Sequence, residues 1–170
     1  MTNDVQAAND DICRAKQAIQ KALVSSQNII LALNHPTLDP TVPHSYLGIN
    51  IFDYFRPPEI TTDVPNYICY EIRQGGISEQ NPYMKDQYCL FTVHSKTEDL
   101  ETSLGISRHD LLSLLIRDLF GYSNFMGSQL VEIRNTPLPV KSGYTGRLIT
   151  FHAVIPNSLH RNVRTKRHEF

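Results

Sequence analysis

The residue types that carry most catalytic and metal chemistry are sparse in this sequence and poorly spaced for it. Cys89 and His94 lie in one β-rich run, Gln87 to His94, where a thiol beside an imidazole would make a nucleophile and its base. Residues five apart in a strand point to opposite faces, so these two do not meet. His94 and His152 fall in different predicted strands, on the faces of Tyr88, Leu90 and Thr92 and of Leu148, Thr150 and Val154. Paired imidazoles could begin a metal site, but no motif supplies a third ligand, and polar-face histidines are the simpler reading. Cys13, Cys69 and Cys89 lack C-x-x-C spacing, which fits reduced thiols, with Cys69 and Cys89 as small core hydrophobes.

Loops give no stronger signal. Ser142-Gly-Tyr-Thr-Gly-Arg resembles a phosphate-binding glycine loop but lacks the G-x-x-x-x-G-K-[ST] order, and Gly75-Gly76 opens no helix. Both read as turns needing positive φ. Glu98, Asp99 and Glu101 form an acidic stretch that reads as a solvated lead-in to a helix rather than as paired acid-base carboxylates. The basic run Arg161 to Arg167 fits phosphate backbone or an acidic neighbouring subunit equally well. The expectation is therefore a protein with no catalytic, cofactor-binding or metal-binding residues.

The elements that hold these residues can be read from periodicity. A chain of 170 residues, 41% hydrophobic and 19% charged, has enough apolar material for one core without disulfide or metal. A formal net charge of -1 supplies no global field toward nucleic acid or an anionic membrane, so any such contact has to be local. The first residues have neither the basic region nor the apolar run of a secretory signal, and no stretch approaches the length of a membrane span; neither export by that route nor membrane association is expected.

Ile12, Ala15, Ile19, Leu23, Ile29 and Ile30 recur at helical spacing, predicting one helix over 12–33, weakened at Ser25-Ser26 and stopped by His35-Pro36. A Pro-rich connector over 36–65 holds one predicted strand, Tyr46 to Phe55. Then come two strand–long loop–strand units: Asn66 to Ile72 with Gln87 to His94, and Leu130 to Arg134 with Arg147 to Ile155. Between them, Ser107 caps a helix whose stripe is Leu111, Leu112, Leu115, Ile116, Leu119 and Phe120, with Gly121 at its end. The fold class is α+β: a mostly antiparallel sheet of four to five strands on two helices, with long inter-strand loops. It forms one domain over 1–156, the hairpin–helix–hairpin occupying 66–156, followed by a basic extension over 157–170. Tyr46, Phe52, Tyr54 and Phe55 add aromatic surface beyond what one helix hides, which points to a partner.

The order helix, Pro-rich connector, VPNYICYEI, DQYCLFTVHS, SRHDLLSLLIRDLFG and final RLITFHAVIP resembles the tail terminator and tail-completion proteins of long-tailed bacteriophages, over roughly Ile12 to Pro156. That resemblance implies a non-enzymatic virion subunit of the tail or neck, made in the host cytoplasm. It implies a ring, hexameric in the family, closing the tail-tube end and joining it to the head-side connector. Its partners would be copies of itself, the tail-tube protein and the head–tail connector protein, with no membrane and with DNA only as passing contents of the channel. A portal-side connector or adaptor subunit is a second reading, and a small cytoplasmic enzyme built on His94, His152 and a cysteine a third. Tyr83, Met84, Lys85, Tyr144 and Arg147 are candidate interface residues, as are Arg161, Arg164, Lys166 and Arg167 in the tail.

Overall fold

The computed structural model describes residues 11–60, 64–79, 81–125 and 127–157. Five strands form one sheet: β1 (Ile51–Phe52), β2 (Asn66–Ile77), β3 (Met84–Lys96), β4 (Val131–Lys141) and β5 (Tyr144–Pro156). Their order is β1-β2-β3-β5-β4, with β1 parallel to β2 and all other neighbours antiparallel. Three helices, α1 (Asp11–Ser25), α2 (Gln27–Leu33) and α3 (Arg108–Phe120), cover one face. The fold is α+β, as the periodicity predicts.

Period-two alternation sets the layering. Along β3 buried and half-buried residues alternate without a break, and register aligns Ile68 with Val93, Tyr70 with Phe91, and Cys89 with Phe151. These side chains meet Ile19, Leu23, Ile29, Ile30, Leu33, Leu112, Ile116 and Phe120 from the helices in one apolar core. The stripe of α3 is centred on Leu112, Ile116 and Phe120, and Leu115 lies only half-buried at its edge. On the opposite sheet face, Phe52, Tyr67, Cys69 and Tyr144 form a second, smaller cluster with Val64.

Four local expectations are corrected. The helix over 12–33 is two helices, because Ser26 leaves helical geometry at φ -87°, ψ 96°. The strand over 46–55 shrinks to Ile51–Phe52: Pro43–Tyr46 is a 3-10 turn and Gly48 takes a φ of 74°, so little extended chain remains to pair with β2. The long loop between β2 and β3 is mostly strand, since β2 runs on through a bulge at Gln74/Ile77 and the chain reverses within 78–83, where Ser78 N–H donates to Met84 O. The second long loop is a two-residue turn, Ser142 (φ 49°) and Gly143 (φ 75°), the left-handed pair that a tight hairpin requires. Pro137 and Pro139 do not break β4 because it is an edge strand with an open side that needs no donor.

Gly146 lies where β5 runs tight against β3, and a Cβ there would stand 2.0 Å from Val93 O on that neighbouring strand. Gly146→Ala should therefore cost at least the ~1–3 kcal/mol of an overpacked site. Gly76→Ala, with nothing within 4 Å and no positive φ, should shift stability by no more than about 0.5 kcal/mol. Urea denaturation of the two variants checks the contrast; equal midpoints would refute the close packing at Gly146.

Candidate functional site

The fold separates the residues that could have done chemistry. Cys89 lies in the helix-side core, where burial pushes its thiol up to about 12, and Cys69 lies on the other face, pushed to about 11, also chiefly by burial. Neither supplies a thiolate nucleophile at neutral pH. His94 stacks on Tyr67 with ring centroids 4.7 Å apart, and burial lowers its pKa to about 4. His152 meets the Asp86 carboxylate at 2.8 Å and lies beside the Tyr88 ring. Register pairs His152 with Tyr88, six residues along β3 from His94. At about 3.3 Å per residue the two imidazoles are about 20 Å apart and do not share an ion. Among the described residues no three His, Cys, Asp or Glu side chains cluster to hold one.

The candidate interface residues divide. Tyr83 is 61% exposed at the 78–83 turn, and Met84 beside it is half-buried. Lys85 and Tyr144 are buried within the fold itself. Lys85 falls on the helix-side face of β3, while the Tyr144 hydroxyl donates to Val64 O at 2.6 Å under the Lys96 ammonium. Arg147 is half-buried and committed internally, at 2.8 Å from Asp110 Oδ1 and 2.7 Å from Asn135 Oδ1. For Lys85 and Tyr144, alternation within an extended β3 and β5 overrides the loop placement read from the sequence; Arg147, already in a predicted strand, is turned inward by the same pleat. Arg161, Arg164, Lys166 and Arg167 lie outside the described residues.

The site that sequence reasoning missed is built around Asp99. Its carboxylate accepts from Asn66 Nδ2 at 2.6 Å, Asn34 Nδ2 at 3.1 Å and Arg108 Nη2 at 3.2 Å. Arg108 also donates to the Asp99, Ala32 and Glu101 carbonyls, and Asn66 to Leu33 O. The last carbonyls of α2, which have no helical donor, are thus capped from the start of β2 and the start of α3. Nothing in the spacing of residues 32, 66, 99 and 108 announces this; only Asp99, in its acidic stretch, carried any signal.

This clasp frames a groove of about 510 Å³ between α2 and α3, floored by Leu31, Ala32, Leu111 and Leu115 and edged by Leu104 and Glu101. Leu31 and Leu104 are 53% and 68% exposed, and Ile106 stands out beside them. At the other end of the sheet Ile77 and Tyr83 are equally exposed. Two separate apolar patches therefore lie at opposite ends of the strands.

Fold and surface together define a small α+β protein with exposed apolar side chains at both ends of its sheet. The YomW family model matches residues 19–153, from mid-α1 almost to the end of β5, and the chain belongs to that family, a phage-derived one of Bacillus type. It is a phage-related protein. No curated protein matches it. Among the described residues no helix is long and apolar enough to cross a membrane.

Two outcomes test the site's energetics. Asp99→Ala strands the Arg108 guanidinium and the Asn66 amide, and should cost about 2–3 kcal/mol by denaturation, with Arg108→Ala comparable and the double variant well short of additive. For His94, the folded-state pKa lies below its usual 6.5, so between about 4 and 6.5 the unfolded chain binds more protons at this site. Stability should fall as pH drops through that window, and His94→Phe should flatten the fall, as thermal melts from pH 7 to pH 4 would show.

Proposed function

We propose that this protein is a structural, non-enzymatic subunit of a phage tail or neck. Copies of it close into a ring, hexameric by analogy with the tail terminators it resembles, that ends the tail tube and meets the head-side connector. The observation that carries the reading is the pair of unlike apolar patches at the two ends of the sheet: Leu31, Leu104 and Ile106 at one, Ile77 and Tyr83 at the other. A two-fold dimer needs one self-complementary patch, whereas a head-to-tail ring needs two different ones on each subunit. Membership of a phage-derived family supports the setting. The raised thiols and the separated imidazoles support a role without catalysis.

Native mass spectrometry with negative-stain microscopy tests it, the expected result being closed rings of one size. Tyr83→Asp and Leu104→Asp change exposed side chains, so each should hold stability within about 0.5 kcal/mol while abolishing the ring. Each variant keeps one sound patch, so mixing the two should yield a 1:1 heterodimer. Monomers or isologous dimers of the parent chain at all concentrations would refute the ring. Addition of tube protein or connector protein to the rings separates a tail-end role from a portal-side one.

A further inference from the structure

We infer that the groove between α2 and α3 is the docking site for the basic segment 158–167 of a neighbouring copy of this chain. The inference rests on the ring reading and names one of its contacts.

The groove has an apolar floor, Leu31, Ala32, Leu111 and Leu115, and an acidic residue, Glu101, in its lining. Glu98 lies three residues earlier in the chain, exposed on the turn Thr97–Asp99; neither glutamate side chain has an ion-pair partner among the described residues. Asp99 between them is neutralised by Arg108. An occupant of matching chemistry carries apolar side chains at short intervals with cations around them. The sequence offers this in Leu159 and Val163, flanked by Arg161, Arg164, Lys166 and Arg167. Guanidinium groups pair carboxylates in bidentate fashion, which suits exposed glutamates at a rim.

Strand direction decides whether the contact is within one subunit or between two. β5 ends at Pro156 opposite Met84, and Asn157 N–H donates to Tyr83 O, so the chain leaves the sheet at the Tyr83 end. The groove mouth follows Lys96, at the other end of β3. The twelve steps from Met84 to Lys96 span about 40 Å. Arg161 and Arg164 lie five and eight residues past Pro156, an extended reach of at most about 18 and 29 Å. They fall short of their own Glu101, and Lys166 and Arg167, ten and eleven residues past Pro156, would approach it only with the whole segment drawn straight. In a head-to-tail ring the Tyr83 end of one subunit abuts the groove end of the next, and the same residues then need to cross only the seam.

The test places the photocrosslinker p-benzoylphenylalanine at position 163 of the full-length chain and mixes ¹⁴N- and ¹⁵N-labelled copies before irradiation. Crosslinks from position 163 to peptides covering 28–34 or 101–115 are expected, with mixed-isotope pairs as frequent as random association gives. Same-isotope pairs only, or crosslinks elsewhere, on the sheet, tube protein or DNA, in rings that still form would overturn the docking and leave the ring reading intact. A monomeric parent chain would overturn both. As a second arm, Glu98→Lys with Glu101→Lys should raise the concentration for half-assembly about tenfold at low salt and less at high salt, with unchanged melting. Adding Arg161→Glu and Arg164→Glu to the same chain should restore it, and failure of that rescue counts against the contact.

Discussion

The Asp99 carboxylate is the point on which the architecture turns. A single acidic side chain receives Asn66 from the first residue of β2, Asn34 from the end of α2, and Arg108 from the first residue of α3. Three segments far apart in sequence are thereby fixed to one another at one end of the sheet. The arrangement also resolves a problem that the split of the N-terminal helix creates. α2 is only seven residues long, so its unpaired carbonyls are a large fraction of its polar groups. Arg108 and Asn66 satisfy two of them, and Asn34, at a φ of 45°, turns the chain away. Charge-assisted bonds in a partly buried setting are among the stronger polar contacts a protein makes, which is why this cluster can hold a short helix that propensity alone would not.

The clasp shapes the surface as well as the core. By fixing α2 against the start of α3 it leaves a trough between them instead of a closed seam, and the loop 101–106 is held at its lip through the bond from Arg108 to Glu101 O and that from Thr102 Oγ1 to Ile106 O. Leu104 and Ile106 are then presented outward by a tethered turn. Exposed leucines on an ordered loop cost less entropy to engage than the same residues on a loose one.

The sheet edges point the same way. β4 carries Pro137 and Pro139 together with irregular pairing between Glu132 and Arg134 and between Leu138 and Lys141, while β1 is two residues long. Such edges resist addition of a further strand. Association by extending the sheet is disfavoured, and Ile77, Tyr83, Leu31 and Leu104 stand exposed at the two ends of the strands instead.

Sequence periodicity alone determined the fold class, the three long central strands, the α3 boundaries and the weak point at Ser25-Ser26, because each depends on alternation or capping within a dozen residues. It also determined that Cys89 and His94 face apart, since their separation is odd. Strand lengths were decided by the tertiary structure. Gly75-Gly76 and Pro137 to Pro139 look like loops locally, yet pairing with β3 and β5 holds them extended, and a bulge or an open edge accommodates what propensity forbids. Lys85 and Tyr144 moved inward for the same reason: once their strands lengthen, the pleat dictates which face each side chain takes, and it turns Arg147, already in a predicted strand, toward Asp110. The clasp and its groove were beyond the reach of the sequence, because Asn34, Asn66, Asp99 and Arg108 share no period and are brought together only by the chain's path between the helices and the sheet.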